Sequence, residues 1–157
     1  MKYYKKSGKL KRVIVSRIKL GSDLLLSLKE IAEEEDIKAG IILSGLGALR
    51  KATIRNIKTF PKEFPVTDKN RLFKTIEKPI EVLSLSGNIS EKEGEPLIHA
   101  HLTISFIEEA DATIQGGHLV EGCIVYPFAE IILGELEDIK MVKVMDYETN
   151  TYQLFSD

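Results

Sequence analysis

The stretch LIHAHLTISF, residues 97–106, decides the fold class. Ile98, Ala100, Leu102, Ile104 and Phe106 alternate with Leu97, His99, His101 and Thr103, so an extended chain puts the first set on one face and the second on the other. Such alternation marks a half-buried strand, with the apolar set on the core side. His99 and His101 fall together on the more polar side, with Cα atoms about 6.5–7 Å apart at a rise of roughly 3.3 Å per residue.

Outward from this strand, most of the chain reads the same way. On its N-terminal side, EKEGEP is a turn, and before it IEVLSLSGNIS (80–90) is a strand, with Leu83 and Leu85 opposite in facing to Val82 and Ser84. On its C-terminal side, strands are expected around 112–115, at 123–136 and at 139–146. Nearer the start, RVIVSRIKL (12–20) is rich in β-branched residues and forms a strand reaching Gly21. A helix follows, with Ser22 as N-cap and Leu24, Leu25, Leu28, Ile31 and Ala32 on one face. From Gly40, GIILSGLGAL reads as a short strand running into a glycine turn, and KATIRNIKT (51–59) as the next strand. FPKEFPVTDKN, with two prolines, is a loop. Many strands with short turns and one helix imply an α+β class: a mainly antiparallel sheet with the helix packed on one face. The 157 residues, 43% hydrophobic and 29% charged, have the size and balance of one domain spanning 1–157.

Composition excludes several function classes. No apolar run approaches the roughly 18 residues of a membrane span, and no signal-peptide pattern opens the chain, so a cytoplasmic location is expected. A single cysteine, Cys123, rules out an intramolecular disulfide and any CxxC zinc or redox motif. Within the apolar run CIVY it reads as a buried bystander. The net charge of −2 conceals a basic N-terminal arm, residues 1–12, and an acidic segment, KEIAEEED (29–36). The arm is either a solvated terminus or a contact for phosphates, and nothing else is basic enough for a broad nucleic-acid face.

The histidines carry the chemistry. The chain has three, and His118 follows Gly116 and Gly117 within DATIQGGHLVEG, which suits a turn delivering a third imidazole to the pair on the strand. His99, His101 and His118 then form a metal site; the alternative is an HxH pair hydrogen-bonded or solvated on a half-exposed strand. Three neutral ligands leave zinc a fourth position, which lowers the pKa of a bound water toward about 7 or receives an anionic ligand. Glu121, Glu130 or another subunit are the options for a fourth ligand, and imidazoles equally suit other divalent transition metals. Glu130, in FAEIIL, is either a partner that orients a ligand histidine or a solvated carboxylate on a strand that Pro127 marks as an edge. SGLGALR (44–50) lacks the third glycine of a GxGxxG loop and reads as a tight turn. No catalytic residue is identifiable, and no motif for an organic cofactor is present.

HAHLTISFIEEADATIQGGHLVEGCIVYPFAEIIL resembles the plants-and-prokaryotes-conserved (PPC) domain family in its prokaryotic, metal-binding form, with HxH, GGHL and a closing AEIIL-type strand. SGLGALRKATIR (44–55) looks like that family's glycine turn, and IEVLSLSGNIS like its FEILSLSG-type strand, so the resemblance runs from about residue 10 to about 146. It implies an antiparallel sheet of about seven strands, a homotrimer, and metal ligands at His99, His101 and His118, with zinc the usual ion. A DNA-binding label also travels with the family. Its plant relatives bind DNA through AT-hook segments, and no RGR hook core occurs here. Two readings follow: a trimeric metal-binding module of regulatory or ligand-sensing type, or a zinc-dependent enzyme of hydrolase or hydratase type.

Overall fold

The computed structural model describes residues 3–155; Met1 and Lys2 of the basic arm lie outside the described residues. The chain runs β1 (Lys9–Ile18), α1 (Leu24–Glu34), β2 (Gly40–Ile57), β3 (Arg71–Ile76), β4 (Ile80–Lys92), β5 (Glu95–Glu108), β6 (Asp111–Leu119), β7 (Ile124–Glu137), β8 (Lys143–Asp146) and β9 (Thr151–Leu154), with one 3₁₀ turn at Asp68–Asn70. A seven-stranded sheet has the order β1-β7-β2-β4-β5-β6, with β3 beside β2, and all its pairings are antiparallel. β8 and β9 form a separate hairpin. The expected α+β outline holds, in a form dominated by strands.

β2 is the axis of the fold. Its first half pairs with β7 and β4, and at Ile54 it has β3 on one side and β6 on the other. Because β4 leads through β5 to β6, and β6 returns to β2, these four strands close a circuit around the core. Leu49, Ile54, Ile80, Ile89, Leu102, Ile104 and Leu119 fill it, and Leu24, Leu28 and Ala32 of α1 complete it.

Several local expectations are corrected. β2 is one strand of 18 residues, with no turn at SGLG. It bends through register shifts between Ile42 and Ser44 and between Gly47 and Lys51. A Cβ on Gly45 would come 2.7 Å from Leu85 Cβ, and one on Gly47, whose φ is +146°, 2.6 Å from Ala129 Cα. These glycines serve close packing between strands. β4 carries a bulge between Val82 and Ser84, so Val82 and Leu85 both point inward while Leu83 is exposed. The helix is capped by Asp23, not Ser22: Asp23 Oδ1 accepts from the backbone N–H groups of Leu25 (3.0 Å) and Leu26 (3.2 Å). β7 lies between β1 and β2, so Pro127 does not mark an edge strand; it falls beyond the end of β1, where the β2 register shifts.

The basic arm is also shorter than the sequence indicates. From Lys9 onward it is strand, and Lys9 pairs with Asp138, Lys11 with Glu135, and Arg12 with Glu135 and Glu35. Ahead of it, Lys6 sits over the Phe155 ring, 4.8 Å from the centroid. Much of the arm's charge is thus spent within the chain. No helix among the described residues is long and apolar enough to cross a membrane.

Candidate metal centre

β5 and β6 bring the three histidines together. His101 and His118 are direct cross-strand partners, and His99 precedes His101 by two positions on the same outer face. The ring centroids stand 5.4 Å (His99–His101), 5.1 Å (His99–His118) and 5.2 Å (His101–His118) apart. One ring nitrogen from each lies within 4.8 Å of the other two. The predicted convergence is present, by a different local device. Gly116 and Gly117 are interior to β6, paired with Thr103 and Leu102, and His118 is a strand residue. A Cβ on Gly117 would fall 2.8 Å from Asn56 Nδ2 and 3.0 Å from the Arg55 carbonyl. The glycine lets β6 close onto β2, which places His118 opposite Arg55.

The donor set fits a divalent transition metal. His118 Nδ1 and His101 Nε2 face each other at 3.4 Å. Two nitrogens at about 2.0–2.1 Å from one tetrahedral zinc would be about 3.3 Å apart, so this pair already has the separation of two ligands on one ion. Burial, followed by the charge of Arg55, pushes the His118 pKa down to about 4, and burial followed by Lys143 lowers that of His99. Both rings are therefore neutral near pH 7, the form in which imidazole coordinates.

The rings line a pocket of about 640 Å³ whose walls come from separated parts of the chain: Arg55, Asn56 and Ile57 of β2, Val66, Arg71, Leu97 and Ile98 of β5, Lys143 of β8 and Tyr152 of β9. The terminal hairpin is held there because Glu91 N–H donates to the Met141 carbonyl (2.7 Å) and Tyr152 Oη to Glu93 (2.9 Å). Sequence reasoning missed Arg55, Arg71 and Lys143, which carry no local motif and meet only because β2, β3 and the docked β8–β9 hairpin are brought together in the fold.

The other singled-out residues stand elsewhere. Glu121 and Glu130 are both exposed, and neither joins the three-histidine group. Glu130 pairs in register with Arg17 and Leu46 on the far side of β7. Cys123 is buried, with Sγ 3.3 Å from the Thr53 carbonyl, and burial raises its pKa to about 11, as an inert core thiol requires.

A model of the Plants and Prokaryotes Conserved (PCC) domain matches residues 5–137. The chain belongs to this family. Among solved structures, the metal-containing protein AF0104 of Archaeoglobus fulgidus superposes with a TM-score of 0.77 at 26% identity, covering 99% of this chain and 100% of that one. A plant- and prokaryote-conserved (PPC) protein of Pyrococcus horikoshii does so with a TM-score of 0.76 at 30% identity, covering 98% and 99%. The bifunctional protein GlmU of a Synechococcus strain (JA-3-3Ab) is 30% identical over 143 residues, which are 91% of this chain and 20% of that protein. The PCC-domain chain thus spans about a fifth of the length of the curated relatives it matches.

Proposed function

We propose that this PCC-domain protein is a trimeric, cytoplasmic metal-binding module that senses or holds a ligand at a three-histidine centre, with His99, His101 and His118 as ligands and zinc as the ion. The observation that carries the reading is the approach of three imidazole nitrogens to within 4.8 Å of one another on two paired strands. The metal-containing Archaeoglobus fulgidus relative, similar over its whole length, supports it. When bound, zinc would supply a Lewis-acidic centre with an open position. The chain's own residues would fix that position on a rigid strand pair and flank it with Arg55 and Lys143.

A binding role is favoured over metal-dependent hydrolysis. The lining of the pocket, as drawn from the described residues, contains no carboxylate to act as general base. DNA association through trimer-gathered N-terminal arms finds less support, because Lys9, Lys11 and Arg12 are engaged by carboxylates of the same chain.

Trimer formation is supported by an apolar outer face across β1, β7, β2 and the β4 bulge. Val13, Val15, Leu43, Leu46, Leu83 and Phe128 are exposed there, Val15 at 73%. Cross-strand register puts Val15 and Ser44 on either side of Ile132 and Val13 and Ile41 on either side of Gly134, with the charged rung Arg17–Glu130 beside Leu46 on the same face. Further copies of this chain are its proposed occupants.

Elemental analysis of untagged protein tests the centre. Wild type should retain close to one zinc per chain and His118→Ala should retain none; equal metal in both proteins would refute the assignment. Light scattering tests the assembly: a trimer is expected for wild type and smaller species for Val15→Arg combined with Leu46→Glu. A monomeric wild type would refute it.

A further inference from the structure

Two cations in the histidine pocket lack the partners that similar side chains have elsewhere. Arg71 is paired with Asp68 at 2.9 Å, and Lys9, Lys51 and Lys78 each hold a carboxylate. Among the described residues, Arg55 and Lys143 form no ion pair with Asp or Glu, although both are half-buried and line the pocket. Burial lowers the pKa of each; for Arg55 the neighbouring Arg71 adds to the effect, and the charge of Asp68, which is paired with Arg71, opposes it. A cation partly withdrawn from water without a direct ion-pair partner is costly, and an arriving anion relieves that cost.

Position makes the pair a recognition device. Arg55 is the register partner of His118 across β2 and β6. Lys143, on β8, lines the same pocket as all three rings. The two cations therefore border the ring cluster from different strands. The remaining wall is largely apolar, with Ile57, Val66, Leu97 and Ile98, and the volume of about 640 Å³ suits a small organic molecule.

We propose that the pocket takes a small organic anion whose carboxylate or phosphate head lies between Arg55, Lys143 and the three-histidine centre, and whose apolar body lies against Val66, Leu97 and Ile98. This rests on the metal reading for the open position that the head would fill. It assigns Arg55 and Lys143 independently, as the groups that select negative charge. Arg55 would take the head by two parallel N–H donors, and Lys143 would supply a point charge.

Calorimetric titration of zinc-loaded and of metal-stripped protein with benzoate, phenyl phosphate and neutral benzyl alcohol tests this, on wild type, Arg55→Met and Lys143→Met, with folding checked by circular dichroism. Both or one of the anions should bind zinc-loaded wild type and benzyl alcohol should not; the tighter anion tells a carboxylate head from a phosphate head. Each variant should keep its zinc and bind the anion about tenfold or more weakly. Unchanged affinity in both variants, equal binding of benzyl alcohol, or no anion binding by protein that holds its zinc would overturn the proposal. Protein that takes up no zinc refutes the metal reading instead. The metal-stripped titrations then decide the anion site: binding weakened by Arg55→Met or Lys143→Met upholds it, and binding that is absent or indifferent to both ends it.

Discussion

His101 and His118 are register partners across β5 and β6, and their ring nitrogens face each other at 3.4 Å. A two-strand ladder is a stiff support, so the metal-ligand separation is set before any ion arrives and little ordering remains to oppose binding. Replacing His101 by Ala should lower zinc affinity by more than the roughly 10- to 100-fold that loss of an outer partner of a ligand costs. Competition against a chromophoric chelator measures it, and wild-type affinity in this variant would remove His101 from the ligand set.

Gly117 should tolerate no side chain. An added Cβ would lie 2.8 Å from Asn56 Nδ2 and 3.0 Å from the Arg55 carbonyl, and Asn56 is itself tied down by donating to the Gly116 carbonyl at 3.0 Å. Gly117→Ala should cost about 1–3 kcal/mol of stability, as overpacking does, and should weaken metal binding by displacing His118. Denaturant unfolding and metal titration on the same preparation check both effects.

Asp23 serves two elements at once. Its Oδ1 caps α1 and its Oδ2 accepts from Gly122 N–H at 2.7 Å, so it ties the helix start to the turn entering β7. Asp23→Ala should destabilise the fold by about 1–3 kcal/mol, combining a lost cap with an orphaned N–H. Asp23→Asn keeps an acceptor and should cost less, a ranking readable from thermal midpoints.

Acid should unfold the protein partly through Glu135. Hydrogen bonding to Lys11 holds its carboxyl below the usual range against the opposing effect of burial, with Arg12 adding to the shift. Because the folded pKa lies below the unfolded one, the unfolded chain takes up the proton first. The stabilisation is complete above the ordinary glutamate value of about 4.3 and is lost as pH falls through the depressed folded value. Glu135→Gln should therefore flatten the stability profile in that acidic window, and an unchanged profile would contradict the assignment.

The Cys123 thiol, buried and raised to about pKa 11, should resist labelling by a thiol-specific disulfide reagent at pH 7.5 in native protein and react fully in denaturant. Rapid native labelling would show that this part of the core opens readily.

Residues 97–106 could be read directly because a strand with one buried face repeats every two residues, and Ala100, Leu102, Ile104 and Phe106 are buried as that period requires. The same period put His99 and His101 on one face. Gly45 and Gly47 misled for a physical reason: glycine permits a turn and a close approach between strands equally, and only the neighbouring strand distinguishes them. Gly116 and Gly117 carried the same ambiguity, so the meeting of His118 with the pair was foreseen while its place on a strand was not. β3 was missed because five of the six residues of RLFKTI lack a buried face.

Local alternation, an apolar helical stripe and the family-like histidine pattern are properties of neighbouring residues, so the amino-acid order alone determined the antiparallel class, the single helix and the identity of the three imidazoles. The separation of those rings, and the presence of Arg55 and Lys143 rather than a carboxylate among the described residues lining the pocket, depend on contacts between residues far apart in the chain. Closure of β6 onto β2 and docking of the β8–β9 hairpin decided them, because contacts between distant strands are fixed by how the whole core packs.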